Sequence, residues 1–209
     1  MGSFSMLHPL LLAGLAVHAA PVPQTRTLVF LGDSLTAGLG LARKEAFPAL
    51  IDARIQGAGL GWRVLNAGVS GDTSAGARAR LDWIFRERPE LLFLCIGSND
   101  GLRGLSVKDL EANLRAILAR ARQERCRVVL AGAMLPENYG PEYRRTFQAV
   151  FPRVARAYRV PFLPFLLEGV ALRSELNQED GIHPNAAGSR RIAERVWSLL
   201  EPELKAPPR

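Results

Sequence analysis

The chain has 209 residues, 48% hydrophobic and 22% charged, which is long enough to bury a core without disulfides or a structural metal and too apolar for disorder. No run reaches the ~20 apolar residues of a membrane-spanning helix; Gly and Pro (19 and 14) follow no period; and three histidines, two of them His8 and His18, with two cysteines exclude a His- or Cys-rich metal site. Of the 27 basic residues behind the formal charge of +7, 24 are arginine, and they scatter along helical segments (Arg78, Arg80, Arg86, Arg88; Arg115, Arg120, Arg122, Arg125) as a solvated face does, with no zinc-finger or RNA-recognition pattern to point to nucleic acid.

Residues 1–20 carry no Asp, Glu, Lys or Arg, and an apolar run at 10–17 leads into Val17-His18-Ala19, which sets small residues where a signal peptidase reads. The segment 1–20 is expected to be a secretory signal peptide cut near Ala19 or Ala20. That leaves 21–209 as one domain, periplasmic or secreted after cleavage and cytoplasmic without it. A disordered or tag-derived tail is the competing reading. No cysteine follows the run, so a lipoprotein signal is absent.

From there strand and helix patterns alternate. Residues 27–31 form a continuous apolar run, as a strand buried on both faces requires. Residues 47–56 read as a helix with Phe47, Leu50, Ile51 and Ile55 on one side, and 62–66 as the second strand. A second helix spans 73–88, capped by Asp72 or Thr73 and stopped by Pro89, before the third strand at 91–96. Ser106, with Asp109 three residues on, caps a third helix, whose stripe is Val107, Leu110, Leu114, Ile117, Leu118 and Ala121.

The fourth strand is 127–132, and Pro141 opens a fourth helix reaching about Tyr158. A short fifth strand at 160–165 is consigned to a sheet edge by Pro161 and Pro164. Pro184 starts the last helix, which carries Ile192, Val196 and Leu199. This alternation implies a three-layer α/β/α sandwich of flavodoxin-like type, with a mostly parallel five-stranded sheet and right-handed crossovers. Cys95 near the end of the third strand and Cys126 at the start of the fourth are then separated by roughly 13–17 Å of strand rise. A disulfide needs Cα atoms within ~7 Å, so none is expected, and Cys95 reads as a small core residue.

Small polar clusters follow the strands: Gly32-Asp33-Ser34-Leu35, Ser70-Gly71-Asp72-Thr73, Gly97-Ser98-Asn99-Asp100 and Asp180-Gly181-Ile182-His183-Pro184. Each alone reads as a turn or a helix cap. A parallel sheet, however, sends all these loops out of its carboxyl edge, where ligands bind. One hydroxyl, one imidazole, one carboxylate and several amide donors gathered there are the parts of an acyl-transfer site. His183 is the only histidine outside the leader and so the only ordinary imidazole base for a serine nucleophile. Asp180, three positions earlier, is placed to orient it. Ser34 is followed by Leu35-Thr36, so this is not the Gly-x-Ser-x-Gly elbow of α/β-hydrolases.

The four clusters, extended to Phe30–Gly38, Asn66–Thr73, Gly97–Gly104 and Asp180–Asn185 and joined by Leu135-Pro136-Glu137-Asn138-Tyr139-Gly140, resemble the SGNH (GDSL-type) hydrolases. They are similar in particular to the bacterial thioesterase I/protease I/lysophospholipase L1 and arylesterase group. The resemblance covers nearly everything from Leu28 to Leu200. It implies Ser34 as nucleophile, Asp180 and His183 as the rest of a triad, and an oxyanion hole from the Ser34 and Gly71 N–H groups and the Asn99 side chain. Asp33 is read as structural, in the turn.

The reaction so implied is hydrolysis of aryl or lysophospholipid esters, and of acyl-CoA thioesters, through an acyl-serine, with no metal and no organic cofactor. The expected partner is the small-molecule acyl ester or thioester alone, without nucleic acid, with peripheral contact to lipid, on a monomer. Leu135-Pro136 reads as one wall of an acyl groove, with core packing as the alternative. Arg103, on a glycine-flanked flap at 101–106, reads as a phosphate contact or as an ordinary exposed arginine. A carbohydrate O-deacetylase and a noncatalytic lipid- or anion-binding module remain open beside the esterase reading.

Overall fold

The computed structural model describes residues 1–2 and 25–207. The leader assigned to 1–20 lies, apart from its first two residues, outside them. Five strands form one parallel sheet in the order β2-β1-β3-β4-β5. They are β1 (Arg26–Gly32), β2 (Trp62–Gly68), β3 (Leu91–Cys95), β4 (Arg127–Ala131) and β5 (Phe162–Leu163). The three inner strands are buried almost throughout, as their unbroken apolar runs require, whereas β2 alternates buried and open positions because it is an edge. On one face α2 (Phe47–Gly57) and α8 (Ala186–Lys205) cover Leu28, Phe30, Phe93 and Val129. On the other, α3 (Ser74–Ala79), α4 (Leu81–Arg86), α6 (Val107–Gln123) and α7 (Pro141–Tyr158) cover Val29, Leu31, Leu94 and Leu130. This is the three-layer α/β/α sandwich expected.

The departures from the sequence reading have local causes. The helix expected over 73–88 is two helices, broken at Arg80 (φ −101°, ψ 13°), and Thr73 caps the first by accepting from Gly76 N. The strand expected over 160–165 has only two paired residues, because Pro161 and Pro164 on either side have no N–H for the ladder. The last helix begins at Ala186 rather than Pro184, since Asn185 is its cap and accepts from the N–H groups of Ala187 and Gly188. Leu199 is half-buried there, while Leu200 and Leu204 complete the inner stripe. Two one-turn helices, α1 (Ser34–Ala37) and α5 (Ser98–Leu102), stand directly after β1 and β3, too short to show a helical period. Cys95 and Cys126 are free and buried on opposite faces of the sheet. Among the described residues no helix is long and apolar enough to cross a membrane.

Candidate active site

Gly32, Gly68 and Cys95 are level in the register of β1, β2 and β3, so the segments that follow them leave the same edge of the sheet. Ser34 is the first residue of α1, and Asp33 caps that helix by accepting from Leu35 N (3.0 Å). Asp33 is fully buried, and desolvation pushes its carboxyl up to about 6. Its geometry is that of a turn residue beneath the serine.

The loop after β5 carries Asp180 and His183 to this edge. Asp180 Oδ1 accepts from the N–H groups of Ile182 and His183 (both 3.0 Å), an Asx-type turn that sets the two side chains side by side. His183 Nδ1 lies 2.5 Å from Asp180 Oδ2, and His183 Nε2 lies 2.8 Å from Ser34 Oγ. An ionised carboxylate only accepts hydrogen bonds, so Nδ1 carries the proton and Nε2 faces the serine hydroxyl as an acceptor. The hydrogen bond from His183 N, with further ones from the imidazole and Ile182 N, holds the Asp180 carboxyl down at about 2. Gln178 braces the loop: its N–H donates to His183 O (2.8 Å), and its side-chain amide donates to Leu39 O (2.7 Å) and Pro184 O (2.9 Å).

The groups expected from the sequence as oxyanion donors lie on segments that leave this same edge of the sheet. The Ser34 N–H, at the first position of a helix, has no intrahelical partner. Residues 69–72 form a turn closed by Asp72 N donating to Val69 O (3.0 Å), with Gly71 at φ 79°. Only the third residue of this turn has positive φ, which is the type II pattern that selects glycine. Gly71 is exposed and its N–H donates to no described residue. Asn99 Nδ2 donates to Asp72 O (2.9 Å), which fixes the amide beside the turn and leaves its second N–H unassigned. Arg103 is exposed and donates to Gly71 O (2.8 Å). Leu135 is 4% exposed and packs beneath Gly101 and against Phe147, whereas Pro136 lies at the surface.

Two residues of this edge escaped the sequence reading. Asp100, taken for a turn residue, is buried and accepts from Ser74 Oγ (2.5 Å) and Ser74 N (2.8 Å), pinning the start of α3 to α5. Arg80, taken for part of a solvated helix face, is folded inward onto Asp72, Ala67 and Gly32. Its spacing held the signal: Ala77, three positions before, and Ile84, four positions after, are buried, so Arg80 is on the core-facing stripe. A cleft of about 890 Å³ opens among Arg122, Arg125, Arg159 and their neighbours, at the amino-terminal edge of β4.

The family described as GDSL-like lipase/acylhydrolase matches residues 30–191. The chain belongs to this family. Esterase TesA of Pseudomonas aeruginosa is 43% identical over 180 residues, which cover 86% of this chain and 90% of that protein. Thioesterase 1/protease 1/lysophospholipase L1 of Escherichia coli K12 is 38% identical over 177 residues, 84% of each chain. Among solved structures, the psychrotrophic esterase EstA from Pseudoalteromonas sp., inhibited by monoethylphosphonate, superposes with a TM-score of 0.82 at 30% identity, covering 87% of this chain and all of that one. As in the family's Gly-x-Asn-Asp pattern, Gly97 and Asn99-Asp100 flank a variable position, here Ser98.

Proposed function

We propose that this GDSL-family hydrolase cleaves carboxylic esters of acyl chains, lysophospholipids and aryl esters among them, and acyl-CoA thioesters, with Ser34 as nucleophile. The observation that carries the reading is the unbroken relay of Ser34 Oγ, His183 and Asp180 at 2.8 and 2.5 Å. Ser34 Oγ attacks the acyl carbon while its proton passes to His183 Nε2, and Asp180 stabilises the imidazolium so formed. The oxyanion is met by the N–H groups of Ser34 and Gly71 and the Asn99 amide, each worth roughly 3–4 kcal/mol at the transition state. Collapse expels the alcohol or thiol, which takes the proton from His183. Water, deprotonated by the same imidazole, then attacks the acyl-serine and returns Ser34 to its hydroxyl form.

An acyl substrate is supported by the rim of the site. Leu39, Val69, Leu105, Met134 and Ile182 are large apolar residues that remain half-exposed. Each lies within five residues of Ser34, Gly71, Asn99 or Arg103, Leu135 or His183, on a different loop of this edge. Pro136 and Arg103 stand on the same edge, suited to acyl-chain and phosphate contact. Ser34, His183 and Asp180 meet within a single chain, which supports action as a monomer. The apolar run at 10–17 supports export with cleavage near Ala19 or Ala20, tested by sequencing the amino terminus of the mature protein.

The deciding experiment is hydrolysis of a short p-nitrophenyl ester by the parent and by Ser34→Ala. Loss of turnover with an unchanged circular dichroism spectrum is expected, and normal turnover in the variant would reject Ser34 as nucleophile. A chain-length series of acyl-CoA, lysophospholipid and aryl esters under one set of conditions then ranks the substrates. Preference for acetylated sugars over all of them would replace this reading with a carbohydrate deacetylase.

A further inference from the structure

Arg80 lies outside every motif that marks the site, yet its guanidinium touches the framework of all three oxyanion donors. Nε donates to Asp72 Oδ2 (2.9 Å), Nη1 to Ala67 O (2.7 Å) and Nη2 to Gly32 O (3.1 Å). Gly32 is the last residue of β1 and leads through Asp33 to Ser34. Ala67 is the penultimate residue of β2 and leads to the turn at 69–72. Asp72 closes that turn directly after Gly71, and its own carbonyl accepts the Asn99 amide. One planar cation therefore ties together the exits of two neighbouring strands and the anchor of the third donor.

The surrounding sequence is shaped to this contact. The chain breaks out of α3 at Arg80 itself, ending one helix and starting the next, where a continuous helix would satisfy the 73–88 pattern equally well. Gly76 leaves room for the Asp72 carboxylate, because a Cβ there would stand 1.9 Å from Asp72 Oδ1. Asp72 Oδ1 is held by Thr73 N (3.0 Å), so the carboxylate presents Oδ2 to Arg80. The ion pair is largely shielded, with side-chain exposures of 21% for Arg80 and 10% for Asp72. Arginine suits the position because three acceptors lie around one rigid donor fork, which a lysine ammonium at the end of a flexible stem does not reproduce.

We infer that Arg80 is a positioning residue of the oxyanion hole: it sets the spacing between the Ser34 N–H and the Gly71 N–H and, through Asp72, the Asn99 amide. This rests on the acyl-serine reading above. It predicts that disturbing Arg80 weakens transition-state binding and leaves ground-state binding alone.

The test is steady-state kinetics on a p-nitrophenyl ester with Arg80→Lys, Arg80→Met and Asp72→Asn, well below each variant's melting temperature. Alongside runs the affinity for an alkyl trifluoromethyl ketone, whose adduct with serine carries the oxyanion. The expected result is a fall in kcat of about 10–100-fold, short of the 10²–10³ for outright loss of a donor. KM should change little, and ketone affinity should fall in parallel with kcat. Arg80→Met combined with Asn99→Ala should lose less than the product of the single losses, because both act on one hole.

Guanidinium ion added at millimolar concentration to Arg80→Gly should restore part of kcat. A purely structural arginine would lower the melting temperature and leave kcat per folded molecule and ketone affinity at parent values. That outcome in Arg80→Lys and Asp72→Asn overturns the inference, even if Arg80→Met does not fold. Asn99→Ala separates the two layers. If it lowers kcat and the Arg80 and Asp72 variants do not, this inference alone fails; if it too leaves kcat unchanged, the oxyanion assignment beneath it fails.

Discussion

Asp180 is nearly half exposed, but its charge is secured by the N–H groups that aim at it rather than by burial. With its carboxyl held at about 2, it remains ionised throughout the range in which an esterase is assayed, and its contribution to stability is lost only as pH falls from the ordinary aspartate value of 3.8 through about 2. Asp180→Asn keeps the shape but takes away the charge that fixes the imidazole tautomer. We expect kcat to fall by roughly 10³–10⁴ with KM little changed, measured by steady-state ester hydrolysis. Retention of more than a tenth of kcat would mean that Asp180 does not orient His183.

Asp33 shows the opposite balance. Burial raises its carboxyl from 3.8 to about 6, so between those values the folded chain holds a proton that the unfolded chain has released. Stability therefore declines as pH climbs through that interval. Asp33→Asn has no such titration and should gain on the parent by about 2 kcal/mol from pH 4 to pH 7, read from urea unfolding at each pH. A constant difference between the two proteins would show that Asp33 ionises without penalty. The meeting of Ser34, Asp180 and His183 was legible because there is a single histidine beyond residue 20, and the clusters at the strand ends set a serine and an aspartate within reach of it. Arg80 was not, because arginine is the commonest charge in this chain and its meaning depends on which way a broken helix turns.

The parallel sheet was readable at the level of elements because each inner strand is a solid apolar run, and the stripes of α6 and α7 repeat over many turns. The short helices α1 and α5 left no such trace. The first is started by Asp33, whose side chain accepts from Leu35 N, and the second by Gly97, which turns the chain out of the strand at φ 117° with no side-chain cap. The start of α3 depends on a partner 26 residues away in sequence, the carboxylate of Asp100, and a pairing of that range has no local signature. Asp100→Ala leaves the buried Ser74 N–H without its acceptor and removes a charge-assisted bond to its hydroxyl. The expected loss is about 3 kcal/mol, or a melting temperature lower by about 6–12 °C, seen by thermal denaturation. A shift under 2 °C would mean that water or Asn113 replaces the carboxylate.

Taken as a whole, the molecule distributes its charge unevenly. The stretch 107–159, with α6, β4 and α7, has eleven basic and five acidic side chains and so accounts for most of the chain's +7. Many of these arginines are exposed on helices that cover the sheet, and several are paired at the surface, as Arg120 is with Asp82 and Glu124. Such exposed pairs contribute little each, so the fold rests on the two apolar layers that enclose the sheet.

Two of the three relay members ride on one stretch without helix or ladder, 177–185. It is fastened by hydrogen bonds rather than by apolar packing: the isolated bridge between Asn177 and Pro184, the amide groups of Gln178, and the Asn177 and Asn185 side chains, which donate to Val170 O, Arg173 O and Glu175 O. Ser34, by contrast, is rooted at the end of β1, one of the buried inner strands. Segments with few buried contacts open at lower free energy than the core, so mild urea should silence the enzyme before it melts the sheet. Ester turnover and far-ultraviolet dichroism followed along the same urea series should give two midpoints, with inactivation first and fully reversible on dilution. Superimposed midpoints would show that the arm carrying Asp180 and His183 is as firmly seated as the strands themselves.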